Sequence, residues 1–211
     1  MRNGKSGKAD PDRRKKRVRR RIQIIVIYTA IAVGLAWFFE SQATTTMIFV
    51  RHAEKALMPI DDPGLSAEGK VRAAELARQL VDADVVAGID AIYSTDTRRT
   101  IETAQPIADA LELRIQTYEN QEDDEPVVDA MVNAHKGRII LVVGHSNTLP
   151  TMIAALGASK KVPPIAELEY DNIYVISIPW FGKTKTIRLR YGDPYIGEPA
   201  TSGDALTRMT N

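Results

Sequence analysis

The sequence predicts an α/β fold, a three-layer α/β/α sandwich with a mostly parallel sheet, preceded by an N-terminal transmembrane helix. Two observations predict the sandwich. Short β-rich runs alternate with longer helical runs from Met47 onward, and the clearest β-rich runs are apolar on both faces, as in buried parallel strands. A third observation, an uncharged apolar stretch at residues 22–39, predicts the transmembrane helix. The length of 211 residues suits one domain with attachments.

The apolar stretch directly follows a strongly basic segment. As a helix at about 1.5 Å per residue it would reach roughly 27 Å, close to the hydrocarbon thickness of a bilayer. Residues 1–21 carry 11 Lys and Arg against 2 Asp and Glu, so the positive-inside rule puts the N-terminus in the cytoplasm. The rest of this single-pass membrane protein then lies on the other side, in the periplasm or at the cell surface.

A cleaved signal peptide is the alternative, because Ser41-Gln42-Ala43 has the small residues that a signal peptidase requires. The apolar run is longer than the roughly 7–15 residues of a signal-peptide core, which favours an uncleaved anchor. The predicted organisation is a basic cytoplasmic segment, a transmembrane helix, a linker, a globular domain and a loose tail, at residues 1–21, 22–39, 40–46, 47–192 and 193–211.

Composition excludes two classes of partner or site. Beyond the basic segment the chain carries 17 Lys and Arg against 25 Asp and Glu, and this mildly acidic balance argues against nucleic acid. The chain has no cysteine, which excludes disulfides and thiolate metal sites.

The sequence pattern of the globular domain predicts alternating strands and helices. Strands are predicted at residues 47–50, 89–94, 113–118 and 138–144, and helices at 65–83, 98–111, near 126–135 and at 148–157. Pro106 predicts a kink or a restart of the second helix. Two further β-rich runs, 170–179 and 185–192, are joined by a Gly-containing turn and predict an antiparallel pair at or near a sheet edge.

Polar residues gather directly after the predicted strands, where ligands bind in sheets of this kind. The first strand is followed by Arg51 and His52, the second by Arg98 and Arg99, and the fourth by His145, Ser146 and Asn147. The third histidine, His135, is predicted on the surface. Each set alone is a weak signal, because polar groups commonly end strands, but three strands deliver such residues to one rim.

This set of side chains is suited to phosphate. Guanidinium groups match phosphate oxygens in bidentate geometry, and imidazole can become a covalent phosphoryl carrier near neutral pH. A turn that opens a helix adds backbone N–H donors for an anion.

The stretches "VRHAEK", "YSTDTRRTIETAQPIA" and "VVGHSN", in this order, resemble the motifs of the histidine phosphatase superfamily, also called phosphoglycerate mutase-like. The resemblance covers roughly residues 47–192. Ala53 replaces the glycine of the Arg-His-Gly signature, as in the small phosphatase-like branch with an RHAEK first motif. The second motif puts the second phosphate-binding arginine at Arg99 rather than Arg98.

The resemblance implies a mechanism without a metal or another cofactor. His52 attacks phosphorus and forms a phosphohistidine, while Arg51, Arg99 and His145 hold the equatorial oxygens. A carboxylic acid protonates the leaving alcohol and later takes a proton from water. The resemblance places this acid after the third strand, at Glu119, with the alternatives Glu122, Asp123 and Glu54 left open. Ser146 and Asn147 are expected to line the substrate site, and Asp171 is a further candidate.

These expectations describe a membrane-anchored extracytoplasmic phosphomonoesterase. Its substrate is expected to be a phosphorylated small molecule or an envelope component, since similar exported members act on envelope sugar phosphates. The alternatives are a phosphoglycerate mutase-type phosphotransferase, a protein phosphohistidine phosphatase, or a phosphate-binding module without catalysis.

Overall fold

A computed structural model describes residues 11–41, 44–82, 88–119, 123–158 and 162–197. The chain divides into two compact units, Met1–Ser41 and Gln42–Asn211. The described part of the first unit is helix α1 (Pro11–Ser41), whose large apolar side chains, such as Ile25 and Trp37, are exposed. One stretch of it, Arg14–Phe39, is long and apolar enough to cross a membrane, a property that signal sequences share.

The second unit alternates strands and helices as the sequence predicts. Its strands are β1 (Thr45–Arg51), β2 (Ala91–Thr95), β3 (Ile115–Tyr118), β4 (Ile139–Gly144), β5 (Asn172–Ile178) and β6 (Lys185–Arg190). Its helices are α2 (Ala67–Val81), α3 (Arg98–Leu111), α4 (Glu125–Ala134) and α5 (Leu149–Ala155). The predicted restart at Pro106 does not occur, because α3 is continuous and packs residues on both sides of the proline, Ala104 and Ile107, into the core.

The six strands form one sheet in the order β3-β2-β4-β1-β5-β6. The first four strands in this order run parallel to one another, while β5 pairs antiparallel with both β1 and β6. The predicted fold class and the predicted antiparallel pair at the sheet edge are therefore confirmed. All four parallel strands end at the same edge of the sheet, which we call the carboxyl edge.

Both faces of the sheet are covered, which explains why β1 is apolar at consecutive positions. Met47 and Phe49 of β1 pack on one face in a cluster with residues of α4 and α5. Val50 packs on the other face in a cluster with residues of α2 and α3, and the neighbouring Ile48 packs against that cluster. A strand with helices on both sides must bury successive side chains on opposite faces.

Candidate active site

The carboxyl edge brings together two histidines that lie far apart in the sequence. His52 follows β1 and His145 follows β4, and the parallel pairing places Arg51 beside Gly144. The backbone N–H of His52 donates to the carbonyl of Gly144 at 3.0 Å. The two imidazole rings are 5.3 Å apart between centroids, and both side chains are buried. The rings therefore face one small volume at the end of the sheet.

The surroundings of His52 decide which ring nitrogen carries its proton. Nδ1 lies 2.7 Å from the carbonyl oxygen of Ala53. Because a carbonyl only accepts hydrogen bonds, Nδ1 carries the hydrogen and Nε2 retains its lone pair. Burial lowers the pKa of His52 from its usual value to about 3, and the positive charges of Arg51 and Arg99 act in the same direction. The ring is thus a neutral nucleophile at neutral pH.

His145 is held by threonine hydroxyl groups at the end of β2 and the start of α3. Its Nε2 lies 3.0 Å from Oγ1 of Thr95, which in turn lies 2.9 Å from Oγ1 of Thr100. The pKa of His145 is lowered to about 4, mainly by burial and also by the cations of Arg99 and Arg51. Both arginines therefore act electrostatically on both rings, as expected where an anion is to bind.

Arg51 joins the histidines to a distant loop. Its Nη1 donates to the carbonyls of Ala166 at 2.7 Å and Glu169 at 3.2 Å. The guanidinium carbon lies 4.3 Å from the ring centroid of Tyr170, and that ring lies 5.9 Å from the ring of His52. Arg51 thus carries charge into the site and also fixes the loop that forms one wall.

The two adjacent arginines of α3 face different surroundings. Arg98 forms an exposed ion pair with Glu102 at 3.2 Å, one helical turn further on. The side chain of Arg99 is only 21% exposed, and its Nη1 lies 4.0 Å from the carboxylate of Asp62. That carboxylate also accepts the backbone N–H of Arg98 at 3.1 Å. Asp62 is therefore the carboxylate that the fold brings beside Arg99.

Helices α2 and α3 hold the residues that follow His52. The backbone N–H of Ala53 donates to Oγ1 of Thr103 at 3.0 Å. The carbonyl of Glu54 accepts the backbone N–H of Ser66, which caps α2. A Cβ on Gly69 would lie 2.2 Å from that same carbonyl oxygen, so only glycine permits this close approach. The backbone around the nucleophile is thus fixed on two sides.

The candidate acid Glu119 follows β3, as the sequence indicates, and its side chain is exposed. It lines a cavity of about 450 Å³ with residues of β2, β3 and α4, and neither His52 nor His145 belongs to that lining. The alternative Glu54 forms an ion pair with Arg72 at 2.7 Å. The role of Glu119 stays a prediction.

The other predicted site residues have varied surroundings. Asp123 is exposed and accepts the backbone N–H of Glu125 at the start of α4, while Glu122 lies outside the described residues. Beside His145, Ser146 is half-buried and Asn147 is exposed, both in the turn before α5. Asp171 is buried and forms an ion pair with Arg190 at 2.6 Å.

Sequence reasoning assigned no role to Asp62 or to the loop bound by Arg51. Asp62 lies in the sequence "IDDPGLS", whose Asp and Pro indicate a turn but not a neighbour of Arg99. The loop contributes backbone carbonyls, and these have no side-chain signature. Among the residues that the structure describes, no group of three or more His, Asp or Glu side chains is arranged to hold a metal ion.

Residues 47–123 match the family model of the histidine phosphatase superfamily (branch 1). The match covers 77 of the 211 residues. The resemblance to the superfamily is thereby confirmed, whereas the small phosphatase-like branch with an RHAEK motif stays a prediction. The match supports a phosphatase or a phosphotransferase. Among curated protein sequences, none matches the chain.

Solved structures show the same fold at low sequence identity. The protein histidine phosphatase SixA, in complex with tungstate, has a TM-score of 0.55 at 19% identity, covering 69% of this chain and 96% of its own. Phosphoglycerate mutase from Bacillus anthracis has a TM-score of 0.53 at 16% identity, covering 71% and 94%. Phosphoglycerate mutase from Plasmodium falciparum also has a TM-score of 0.53, at 17% identity, covering 75% and 99%. The second unit thus has a phosphoglycerate mutase-like fold.

The neutral histidines make stability depend on pH. In the unfolded chain their pKa is about 6.5, so below that pH the unfolded state binds protons that the folded site excludes. We expect the free energy of unfolding to fall by about 1 kcal/mol per histidine between pH 7.5 and pH 5.5. Thermal unfolding at the two pH values measures this loss. The paired variant His52→Gln with His145→Gln should lose less stability over the same interval, and an equal loss would contradict the burial of two neutral rings.

Proposed function

We propose that this protein is a metal-independent phosphatase, anchored in a membrane by residues 22–39, that hydrolyses a phosphomonoester through a phosphohistidine on His52. One observation carries the proposal: the neutral ring of His52, with its Nδ1–H bound to Ala53, faces His145 at 5.3 Å. This arrangement supports attack by Nε2 of His52 in an anion-binding site.

The proposed reaction has two steps. Nε2 of His52 attacks phosphorus in line, the bond between phosphorus and the leaving oxygen breaks, and a carboxylic acid protonates that oxygen. Water then attacks the phosphohistidine, gives its proton to the carboxylate, and inorganic phosphate leaves. Arg51, Arg99 and His145 stabilise the charge on the equatorial oxygens in both steps, because fixed positive groups replace the metal ion of other phosphoryl-transfer enzymes.

The N-terminal segments support the proposed location of the domain. The basic block before the apolar stretch of α1 supports a cytoplasmic N-terminus and an extracytoplasmic domain at residues 47–192. Substrates on that side include phosphorylated small molecules and phosphorylated envelope components. Hydrolysis is favoured over mutase chemistry because the domain is short and a glycolytic intermediate is not expected across the membrane. The mildly acidic domain does not favour nucleic acid.

The full chain in detergent should release phosphate from p-nitrophenyl phosphate at the same rate with and without EDTA. Activity that disappears with EDTA would contradict the metal-independent mechanism, and phosphate binding without turnover would indicate a non-catalytic module. Incubation with 3-phosphoglycerate tests the phosphotransferase alternative, because a mutase isomerises this compound whereas a phosphatase releases inorganic phosphate. Proteins that carry phosphohistidine, used as substrates in the same phosphate-release assay, test the protein phosphohistidine phosphatase alternative.

Comparison of two substrates identifies the acid. An alkyl phosphate has a poor leaving group that needs a proton, whereas p-nitrophenolate leaves without one. Replacement of the acid should slow hydrolysis of the alkyl phosphate by about 10²- to 10⁴-fold and should slow hydrolysis of p-nitrophenyl phosphate by much less. The variants to compare are Glu119→Gln, Asp62→Asn and Glu54→Gln. If each variant slows hydrolysis of both substrates to the same extent, none of these three carboxylates is the acid.

A further inference from the structure

The connection between β5 and β6 exposes aromatic side chains beside lysines. This connection, residues 179–184, is called the hairpin tip below. At the tip, Phe181 is 88% exposed and Trp180 is 59% exposed. Lys183 and the first residue of β6, Lys185, are also exposed. Large aromatic rings at full exposure are costly in water, and their combination with lysine is typical of segments at a membrane interface.

The sheet register places the hairpin tip opposite the candidate active site. Thr45 at the start of β1 pairs with Ile178 at the end of β5, and the tip follows directly. His52 comes after the other end of β1. Because β1 has seven residues at about 3.3 Å each, the tip and the site are separated by roughly 20 Å.

The covalent chain leads from the proposed membrane anchor to the same edge of the sheet. Helix α1 ends at Ser41 and β1 begins at Thr45, so only three residues intervene. In the chain, the proposed anchor is therefore followed closely by Thr45. In the sheet, Thr45 pairs with Ile178, which directly precedes the hairpin tip.

Two further contacts make this edge a defined surface. Oγ1 of Thr184 donates to the carbonyl of Leu156 at 3.2 Å, which ties the tip to the end of α5. The backbone N–H of Gly137 donates to Oγ1 of Thr45 at 2.9 Å, which brings the exposed Lys136 to the same edge. The edge therefore combines aromatic rings with several cations, which suits a surface of anionic lipid headgroups.

We propose that the hairpin tip docks on the surface of the bilayer, with Trp180 and Phe181 among the headgroups and Lys183 and Lys185 against anionic lipid. This inference rests on the membrane anchor of the proposed function and goes beyond it. Docking holds the carboxyl edge away from the bilayer, so that His52 and His145 receive substrate from the aqueous side.

Tryptophan fluorescence of the full chain in vesicles tests the proposal. The chain has two tryptophans, so Trp37→Phe leaves Trp180 as the sole reporter. In vesicles of phosphatidylcholine and phosphatidylglycerol, lipids brominated near the headgroup should quench its emission more strongly than aqueous iodide does. Lys183→Glu with Lys185→Glu should reduce the lipid quenching without changing phosphate release.

A matched control places the probe on the opposite edge. Leu57, in the loop after β1, is 91% exposed. The Leu57→Trp probe, with both native tryptophans replaced by phenylalanine, should be quenched by iodide and not by brominated lipid. The proposal is overturned if Trp180 behaves like the Leu57→Trp probe, or if only that probe is quenched by lipid.

The same vesicles distinguish failure of the anchor from failure of the docking. Release of the chain by alkaline carbonate, or an intact mass that begins at Thr44, would overturn the anchor and the docking together. A carbonate-resistant chain whose Trp180 is quenched by iodide alone would overturn only the docking. Resistance to carbonate together with lipid quenching of Trp180 supports both.

Discussion

Replacement of His52 by alanine is expected to lower phosphate release by about 10⁴-fold or more, because the reaction loses the atom that forms the covalent intermediate. The backbone at this position is fixed by its own bonds to Gly144 and by the bond of Ala53 to Thr103. The variant should therefore fold and bind phosphate. Phosphate release from p-nitrophenyl phosphate measures the loss.

The covalent intermediate gives a second readout of the same change. Brief reaction of the native chain with a radiolabelled phosphomonoester should leave label that survives alkali and is lost in acid, as a phosphoramidate bond requires. The His52→Ala variant should carry none. His135 is the matched control, since its Nε2 is hydrogen-bonded to the hydroxyl of Tyr93 at 3.0 Å and His135→Ala should keep activity and label. Label on the His52→Ala variant would contradict the assignment of the nucleophile.

Replacement of Arg51 by methionine is expected to remove activity and also to destabilise the domain. The buried guanidinium donates to the carbonyls of Ala166 and Glu169. Its loss leaves the Glu169 carbonyl without this donor, whereas the Ala166 carbonyl still accepts the backbone N–H of Glu169 at 3.1 Å. An unsatisfied buried carbonyl costs about 1–3 kcal/mol, so we expect the free energy of unfolding to fall by about 2 kcal/mol. At about 2–4 °C per kcal/mol, the Tm should fall by roughly 6 °C.

Arg99 is the matched control for Arg51, because both act on the histidines but only one supports a loop. The side chain of Arg99 is partly exposed and its ion-pair distance to Asp62 is 4.0 Å. Arg99→Met should lower activity by about 10²- to 10³-fold, as expected for one stabilising group at the developing charge, with a small change in Tm. Equal Tm values for the two variants would contradict the structural role of Arg51.

Much of the fold was predictable because its signals are local. The apolar runs at 47–50 and 138–144 predicted buried strands, and they became the central strands β1 and β4. Helices on both faces of the sheet require such runs, so the pattern alone indicated the layers. The ends of elements were less accurate by a few residues, because capping and packing determine where a helix or strand stops.

The meeting of His52 with His145 was also predictable, since both follow parallel strands of one sheet and such ends share an edge. The choice of an acid was not predictable in this way. Glu119 follows β3 as expected but has an exposed side chain, whereas Asp62 lies beside Arg99 without any motif that indicates it. The loop between β1 and α2 positions Asp62, and residue spacing within a loop does not determine where a side chain points.

The sequence by itself determined the order of strands and helices along the chain and the apolar helix at the N-terminus. It also determined which imidazole and guanidinium groups follow the strands at one edge of the sheet. Only the tertiary structure decided that Nδ1 of His52 carries the proton, because that depends on the placement of one carbonyl oxygen. It also decided that Arg51 holds carbonyls 115 and 118 residues away. Contacts at such separation depend on how the elements pack, and a hydrogen bond to a backbone carbonyl leaves no side-chain pattern in the sequence.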